Sequence, residues 1–409
     1  MISIINYNMI IYQIFPDRFY KVDNNKRAYK NWNERPTRRN HFGGNLKGIK
    51  EKIPYLKELG INAVYLTPVF SAPSPHKYDT QDYMRIDPNF GNLKDFDILL
   101  KTLHSNKIKL ILDGVFNHTG DQFWAFKDTE EKGNSSLYWN WYNIYGYPVK
   151  RFPKPNYNNA GIYYLPKLNH SNSEVVNYLK QVVRFWTSKG IDGWRFDMPW
   201  CIKPNLWHEI IKEIKNINPN IILIGEYWGK PEKMLDEYPF DGVMDYYFRE
   251  NVVNLLKNKI NISIFIENLK YKKDTKFNLS WNMLGSHDTS RLRGVLRNDK
   301  KIRIAYLLQF TLPGIPVIYY GDEIGMYGGK DPDCRRTFNW DERSWDVSIY
   351  SYIKYLCDFR KNINEIKNFK VCYIDNEKKE LHYIIESSNK KFIIKIDLKK
   401  YISCIEQIS

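Results

Sequence analysis

Four acidic residues stand at the ends of short apolar segments, at intervals that suggest a repeating structural unit. The spacing from Asp197 to Glu226 is close to one strand–helix unit of an eight-unit barrel of roughly 250 residues, which is about 31 residues. Asp288 follows Glu226 after two such lengths, and Asp113 precedes Asp197 by one such length plus an insertion. Because the parallel strands of a barrel end on the same face, we expect these carboxylates to converge there.

Two carboxyl groups on either side of a bond are the equipment of glycoside hydrolysis. One must be an ionised nucleophile and the other a protonated acid, so their environments must differ. Arg195, two residues before Asp197, points the same way from the strand and can hold that aspartate ionised. His118 and His287 are donors suited to sugar hydroxyls. A single aspartate at a strand end is more often a helix N-cap, but all of these residues together favour a catalytic site.

Eight nearly continuous apolar segments read as strands buried on both faces, which is typical of a parallel sheet covered by helices. They are residues 9–15, 61–66, 108–112, 191–196, 221–224, 240–244, 277–283 and 315–320. Segments 45–59, 173–188 and 206–217 carry apolar residues at helical spacing. This alternation predicts right-handed βαβ units and favours a closed (β/α)₈ TIM barrel, an α/β fold.

Two regions depart from the strand–helix alternation. Residues 118–170, after the third strand, are rich in aromatic side chains, and a structureless loop of that length is uncommon, so we expect an inserted subdomain. Segments 379–385 and 391–396 resemble antiparallel strands of a short C-terminal β domain. The expected division is a barrel domain A over 1–117 and 171–368, an inserted domain B over 118–170, and a C-terminal β domain over 369–409.

Composition excludes several classes of protein. The 409 residues are 43% hydrophobic and 16% aromatic, which excludes a disordered chain. The formal net charge of +16 invites a nucleic-acid partner. However, the lysines and arginines are dispersed and form no basic tract of roughly five to eight residues. We therefore expect a solvated basic surface and no nucleic-acid partner.

The cysteines and the N-terminal segment bear on the compartment. Five cysteines form no CxxC pair, which argues against a disulfide framework or a zinc site. Residues 1–8 have no basic start, and Asn6 and Asn8 break their apolar run, so they do not resemble a signal peptide. No run approaches the roughly 18 apolar residues that span a membrane. We expect a cytoplasmic protein without a membrane partner.

Four segments resemble the signatures of the α-amylase superfamily of glycoside hydrolases. They are 113–118 (DGVFNH), 193–197 (GWRFD), 225–228 (GEYW) and 286–288 (SHD), in the family's order on the third, fourth, fifth and seventh predicted strands. Segments 12–19 (YQIFPDRF), 76–80 (HKYDT) and 165–169 (LPKLN) are similar to the neopullulanase, cyclomaltodextrinase and maltogenic amylase group. The resemblance covers approximately residues 10–345.

The resemblance implies a role for each matching residue. Asp197 would be the nucleophile, Glu226 the acid/base, and Asp288 a third carboxylate that grips sugar hydroxyls. Residues implied to bind the substrate are His76, Tyr78, His118, Arg195, Trp228, His287, Asp333 and Arg335. Hydrolysis would retain the anomeric configuration, so the Asp197 and Glu226 carboxyls should lie about 5–5.5 Å apart.

The sequence departs from this group in several places. The group usually carries an N-terminal β domain that builds its dimer, but this sequence starts almost at the first predicted strand, so we expect a monomer or an oligomer of unknown kind. Residues 198–201 read Met-Pro-Trp-Cys where the group has Val-Ala-Asn-Glu, and Gly229 stands where a histidine is common. These positions face the acceptor side, so they bear on substrate choice and on transglycosylation.

Calcium is the one metal that the resemblance raises. Lys21 takes a ligand position in the loop 20–23, and Asn45 replaces the usual aspartate. Asparagine, aspartate and backbone oxygens still suit this hard cation. We expect no required cofactor, and Asn117 is the candidate ligand if calcium binds.

The function expected from these residues is that of a retaining α-glucan hydrolase. Its bonds would be α-1,4, with α-1,6 also open, in cyclomaltodextrins, pullulan or short maltooligosaccharides. The alternatives are a transglycosylase or isomerase on the same barrel, a non-catalytic amylase-like glycan-binding protein, and a polyanion-binding protein. Intact Asp197, Glu226 and Asp288 argue against a non-catalytic protein.

Overall fold

The computed structural model describes residues 8–22, 29–363, 365–366, 368–387 and 390–408. Within these residues the strands are β1 (Ile11–Ile14), β2 (Ala63–Leu66), β3 (Phe70–Ser71), β4 (Asp82–Ile86), β5 (Lys109–Gly114), β6 (Gly193–Phe196), β7 (Ile222–Tyr227), β8 (Gly242–Asp245), β9 (Trp281–Met283), β10 (Ile315–Tyr319), β11 (Asn368–Asp375), β12 (Glu380–Glu386), β13 (Lys391–Asp397) and β14 (Ile402–Ile408). The α-helices are α1 (Pro16–Phe19), α2 (Leu46–Glu51), α3 (Ile53–Leu59), α4 (Leu93–Ser105), α5 (Trp124–Lys132), α6 (Ser173–Ser188), α7 (Pro204–Ile217), α8 (Pro231–Glu237), α9 (Tyr246–Leu256), α10 (Ile262–Asn268), α11 (Leu292–Leu296), α12 (Asp299–Thr311) and α13 (Val347–Ile363).

Eight parallel strands close into a barrel in the order β1, β2, β5, β6, β7, β8, β9, β10 and back to β1. Alternate residues along a strand belong to different apolar clusters. In β2, for example, Tyr65 belongs to the same cluster as Ile11 of β1 and Ile224 of β7, whereas Val64 packs in the cluster that includes the helices. Closure of the eight parallel strands confirms the predicted (β/α)₈ TIM barrel. Its strands are buried from both sides, as expected for a parallel sheet covered by helices.

The strand register brings the acidic motifs side by side. Asp113 of β5 pairs with Arg195 of β6, and Phe196 of β6 pairs with Gly225 of β7. Glu226 lies within β7 instead of after it, because β7 extends to Tyr227. The carboxyl ends of neighbouring strands therefore place these side chains at one end of the barrel.

Two predicted elements differ from the structure. Segment 45–59 forms two helices, α2 and α3, because Pro54 near the start of α3 cannot donate a hydrogen bond back to the preceding turn. Gly60 ends α3 in the left-handed region, at a φ of 96°. The seventh barrel strand is shorter than predicted, since Thr275–Phe277 form a 3₁₀ turn.

Among the described residues, no helix combines the length and apolar character needed to cross a membrane.

The segment between β5 and β6 holds an inserted structure of its own. It contains α5, short 3₁₀ turns and isolated β-bridges, including one between His118 and Lys167. Its core is aromatic, with Phe126 packed edge-on against Tyr142 and Tyr157 at centroid distances of 4.9 and 5.0 Å. The bridge returns the end of the insertion to the barrel rim. The boundaries of the insertion at residues 118 and 170 remain a prediction.

The C-terminal region forms a four-stranded antiparallel sheet in the order β11, β12, β13, β14. The predicted antiparallel character is confirmed, and the two predicted strands are its central pair. In β12, Leu381, Tyr383 and Ile385 are buried and alternate with partly exposed neighbours. The Tyr383 hydroxyl lies 2.5 Å from the Thr311 hydroxyl of α12, which joins this sheet to the barrel.

Candidate active site

One guanidinium contacts three carboxyl groups at the carboxyl end of the barrel. Arg195 Nη1 donates to both oxygens of Asp113, at 2.9 and 3.0 Å, and to Asp197 Oδ1 at 2.9 Å. Arg195 Nη2 lies 3.1 Å from Glu226 Oε2. All four residues are at most 7% exposed. The structure thus brings together the two residues that the sequence assigned as nucleophile and acid/base.

The cluster contains more acidic groups than basic groups. Three carboxyl groups share one cation, and burial disfavours the ionised forms of Asp113 and Asp197. Burial raises the pKa of Asp197 well above its ordinary value, and the Arg195 guanidinium opposes this rise. The predicted contact between Arg195 and Asp197 is present, but Arg195 alone does not neutralise the cluster. The raised pKa of Asp197 favours its protonated form, contrary to the expectation that Arg195 holds this aspartate ionised in the free protein.

Asp113 is held by four hydrogen bonds. Besides the two from Arg195, its Oδ2 accepts one from the Tyr65 hydroxyl at 2.5 Å and one from the Tyr78 hydroxyl at 3.0 Å. Its carboxylate is fully engaged by protein donors and is 1% exposed. Asp113 is therefore suited to hold Arg195 and Tyr78 in place, not to attack a substrate.

Glu226 is oriented by two donors, one on each oxygen. The backbone N–H of Met198 donates to Oε2 at 2.9 Å, and the Trp228 indole N–H donates to Oε1 at 2.9 Å. Met198 has a φ of 43°, a conformation that is costly for a residue with a Cβ and that aims its N–H at the carboxylate. The Trp228 ring is stacked on Tyr246 at a centroid distance of 3.9 Å and 1° between planes.

Tyr78 lies at the centre of a chain of hydrogen bonds that crosses the barrel. Gln13 Nε2 lies 2.7 Å from His287 Nδ1, and His287 Nε2 lies 2.6 Å from the Tyr78 hydroxyl, which donates to Asp113. Burial lowers the pKa of His287 well below its usual value, so the ring is neutral. Each hydrogen bond in the chain then has one donor and one acceptor, because His287 Nδ1 accepts from Gln13 and His287 Nε2 donates to the Tyr78 hydroxyl. The His287 and Tyr78 rings are stacked at 5.4 Å and 9°.

His76 and His118 flank the same tyrosine. His76 Nδ1 accepts from the Tyr78 backbone N–H at 3.1 Å, and His118 Nε2 lies 3.0 Å from the Tyr78 carbonyl oxygen. Burial lowers the pKa of His76 to about 3 and that of His118 to about 4. Both rings are therefore neutral near pH 7. They suit hydrogen bonds to uncharged hydroxyls better than ion pairs.

Asp288 and Arg335 border this cluster, but Asp333 stands apart. Arg335 Nη2 donates to Asp288 Oδ1 at 3.0 Å, and His287 Nε2 lies 3.0 Å from Asp288 Oδ2. The Asp288 side chain is 30% exposed and open to a ligand. In the described part of the chain, Asp333 contacts the guanidinium of Arg336 at 2.7 Å and the N–H of Gly329, and not the carboxyl groups around Arg195.

Sequence reasoning missed four residues that orient the predicted ones. They are Gln13, Tyr65, Met198 and Tyr246. Gln13 and Tyr65 carried a usable signal, since each is a polar group inside an otherwise apolar strand segment. The backbone geometry of Met198 had no such signal.

The residues around Asn117 do not form a calcium site. The Asn117 Oδ1 atom is buried without a hydrogen-bond partner among the described residues. The adjacent cavity is lined by amides, by one carboxylate, Glu209, and by Lys167, Lys180 and Lys203. Lys180 pairs with Glu209 at 2.7 Å, whereas calcium takes six to eight oxygen ligands. Across the described ranges, no group of three or more His, Cys, Asp or Glu residues could hold a metal.

The second predicted calcium position also lacks a ligand set. Asn45 caps α2 by accepting from the Gly48 N–H at 2.8 Å, and its Nδ2 donates to the Val22 carbonyl. Asp23, from the same predicted loop, lies outside the described residues. The described residues therefore do not fit calcium at either position.

The sequence is similar to curated proteins that are named cyclomaltodextrinase and neopullulanase. It is 43% identical over 375 residues to a cyclomaltodextrinase of Thermoanaerobacter pseudethanolicus, covering 89% of this chain and 65% of that protein. It is 41% identical over 367 residues to neopullulanase 2 of Thermoactinomyces vulgaris, covering 87% of this chain and 63% of that protein. The chain thus spans slightly less than two thirds of the length of these two relatives.

A solved structure and a family profile agree with these relatives. The cyclic α-maltosyl-(1→6)-maltose hydrolase of Arthrobacter globiformis, in complex with cyclic α-maltosyl-(1→6)-maltose, matches with a TM-score of 0.92 at 33% identity. The match covers 96% of this chain and 90% of that one. The profile of the alpha-amylase catalytic domain matches residues 13–387. The chain therefore belongs to the alpha-amylase family of glycoside hydrolases and matches its catalytic domain over most of its length.

Proposed function

We propose that this chain is a retaining α-glucan hydrolase. Its bonds are α-1,4-glucosidic, with α-1,6 bonds as the second candidate, in cyclomaltodextrins, pullulan or short maltooligosaccharides. The observation that carries the proposal is the contact of one buried guanidinium, Arg195, with both Asp197 and Glu226. This contact holds a nucleophile and an acid within reach of one bond, which a binding protein does not need.

In the first step, an Asp197 oxygen attacks the anomeric carbon while Glu226 donates a proton to the glycosidic oxygen. The bond between that carbon and the leaving sugar breaks, and a glucosyl ester forms on Asp197. In the second step, Glu226 takes a proton from water as the water oxygen attacks the same carbon and releases Asp197. Two inversions give net retention.

The remaining residues are proposed to bind the sugar at the cleaved bond. The partly exposed Tyr78 ring offers an apolar surface to the C–H face of a pyranose, and neutral, partly exposed His76 offers a hydrogen bond to a hydroxyl. His118 and His287 are at most 2% exposed and have both ring nitrogens near protein atoms, so their proposed effect on the sugar acts through Tyr78. Asp288 accepts hydrogen bonds from hydroxyls, and Arg335 holds that carboxylate in place. Arg195 is fully buried, so its proposed effect on the sugar acts through the carboxyls it touches.

Two residues of the predicted binding set lie further out. Trp228 is 45% exposed beside Glu226 and is proposed to contact the leaving sugar. Asp333 is proposed to contact a donor-side sugar beyond the one at the cleaved bond. Its carboxylate is already paired with Arg336, so this contact competes with an ion pair.

The test compares the wild type with Asp197→Asn on β-cyclodextrin, pullulan and maltotriose. Reducing-sugar release and product chromatography should show turnover by the wild type and a loss of activity of at least roughly 10³-fold in the variant. Asp236→Asn, on the exposed face of α8, is the matched control and should keep wild-type activity. A folded wild-type protein that releases no sugar from any of the three substrates would refute the proposal.

We further propose that turnover requires no metal and takes place in the cytoplasm. Lysines beside Asn117 and the capping role of Asn45 support the first point. The five cysteines all lie in the described residues and are free thiols, which supports a reducing compartment. Cell fractionation of the source organism tests the location, and recovery of the protein in the culture medium would contradict it.

A further inference from the structure

The cavity beside Asn117 lies between the inserted structure and helices α6 and α7. Its volume is about 590 Å³, within the range of about 300–1,000 Å³ that is typical of small-molecule pockets. Asp197, Glu226 and Asp288 are not among the described residues that line it. The lining holds three lysines, six asparagines and one carboxylate, so it is rich in hydrogen-bond donors.

Two of the three lysines in this lining have no acidic partner. Lys180 pairs with Glu209, the one carboxylate of the lining, at 2.7 Å. Among the described residues, Lys167 and Lys203 form no ion pair with a carboxylate. Lys167 comes from the insertion, whereas Lys203 directly precedes α7. The cavity therefore carries an excess of positive charge, which favours an anionic ligand.

Helices α6 and α7 both begin at this cavity. The N-terminus of a helix carries unpaired backbone N–H groups and a partial positive charge, which together favour anions. Asn172 caps α6 with its own side chain. In contrast, Lys203 at the N-cap position of α7 makes no capping hydrogen bond, and Asn205 and Leu206 of the first turn line the cavity. An anion at this end of α7 would supply the acceptor that no side chain provides.

A buried acceptor in the wall of the cavity indicates a second kind of group on the ligand. Asn117 is 1% exposed, and its Oδ1 has no hydrogen-bond partner among the described residues. His118 Nε2 donates to the Tyr78 carbonyl oxygen, so the neutral ring leaves His118 Nδ1 to accept from Asn117 Nδ2 at 3.3 Å. Oδ1 is therefore the amide atom that is left for a ligand hydroxyl. Because an unpaired buried acceptor is costly, a donor at this atom strengthens binding.

We propose that this cavity binds a phosphorylated sugar. The phosphate group lies at the N-terminus of α7, where it contacts the ammonium groups of Lys167 and Lys203, and a sugar hydroxyl donates to Asn117 Oδ1. The ligand contacts the insertion and the barrel helices at the same time, so its binding should raise the melting temperature. This binding involves no bond cleavage and does not depend on the proposed hydrolase function.

Isothermal titration calorimetry with glucose 6-phosphate tests the proposal, with inorganic phosphate as the reference ligand. Glucose 6-phosphate should bind at least roughly tenfold more tightly than phosphate, because only the sugar carries a hydroxyl to Asn117. Lys167→Gln and Lys203→Gln should each weaken its binding roughly tenfold, since each removes one charge-assisted hydrogen bond. Lys212→Gln removes the same charge from an exposed position of α7 away from the cavity, and should leave the affinity unchanged.

Glu209→Gln provides a test with the opposite sign. It releases Lys180 from its ion pair and removes the one negative charge of the lining, so the affinity for glucose 6-phosphate should rise roughly two- to fivefold. Damage to the fold would lower the affinity instead. Equal affinity for phosphate and glucose 6-phosphate overturns the proposal, as does wild-type affinity in folded Lys167→Gln and Lys203→Gln. Thermal melting checks folding, and if Lys167→Gln does not fold, Lys203→Gln and Glu209→Gln decide the question.

Discussion

Arg195 Nη1 lies 2.9 Å from Asp197 Oδ1, and neither residue is more than 7% exposed. Arg195 lies in β6 and Asp197 follows directly after the end of that strand. One segment of the chain therefore carries both the proposed nucleophile and its cation. The same nitrogen also donates to Asp113 on the adjacent strand. Arg195 therefore fixes the position of Asp197 relative to the barrel, in addition to contributing charge.

Replacement of Arg195 by methionine should destabilise the protein by about 3–5 kcal/mol at pH 7, because it leaves three buried carboxyl groups without their cation. The loss should be smaller at pH 5, because burial raises the pKa of Asp113 and of Asp197 and both take up protons more readily there. Urea unfolding at both pH values measures it, with the exposed Arg343→Met as the control. An equal loss at both pH values would show that the charge is not the cause.

Asp197→Asn should stabilise the protein at pH 7, by about 0.5–2 kcal/mol. Burial raises the folded-state pKa of Asp197 above its unfolded value, so the folded state binds more protons and loses stability as the pH rises above about 4. The asparagine removes this cost, and its advantage should shrink as the pH falls toward 4. Unfolding free energies from pH 4 to 8, with Asp236→Asn as control, measure the effect, and a destabilised variant at pH 7 contradicts it.

Tyr78→Phe should separate the two proposed roles of this residue. The phenylalanine keeps the ring but removes the hydroxyl that links His287 to Asp113, so kcat should fall roughly 10–100-fold with KM nearly unchanged. Tyr78→Ala should also raise KM, because the apolar surface under the sugar is lost. Steady-state kinetics on maltotriose distinguish the two variants. Wild-type kcat in Tyr78→Phe would exclude a role for the hydroxyl.

Glu323 should make stability depend on pH away from the active site. Burial raises the pKa of Glu323 to about 7, although the hydroxyls of Tyr12 and Tyr55 both donate to its Oε1 at 2.6 and 2.5 Å. Because the folded pKa lies above the unfolded value of about 4.3, stability should fall as the pH rises from there through 7. Glu323→Gln should flatten this dependence in urea unfolding, whereas the exposed Glu58→Gln should not. An unchanged slope in Glu323→Gln rules the effect out.

Chelation should change neither the proposed activity nor the stability of the protein. The described residues fit no calcium at Asn117 or Asn45, so dialysis against EDTA should change neither the melting temperature nor the rate of sugar release. Re-addition of calcium should have no effect either. A melting temperature that falls on chelation and recovers with calcium would contradict this expectation and point to residues outside the described ranges.

Much of the fold followed from local patterns. Apolar segments of strand length recur with helices between them, and this alternation has few compact solutions other than a barrel. The spacing of Asp197 and Glu226 was informative for the same reason, since each lies where a strand reaches the rim. Element ends were less predictable, as in α2 and α3, because Pro54 interrupts a pattern that is otherwise continuous.

The amino-acid sequence was sufficient to nominate the residues that are proposed to carry the chemistry, because residue type and strand periodicity are local properties. Closure of the barrel decided which of those residues contact one another. Arg195 meets Asp113 across 82 positions of sequence, and Gln13 meets His287 across 274. The strained backbone of Met198, which aims an N–H at Glu226, likewise depends on packing around it. Contacts of this kind depend on tertiary packing, since no local preference in the chain encodes a distance between strands.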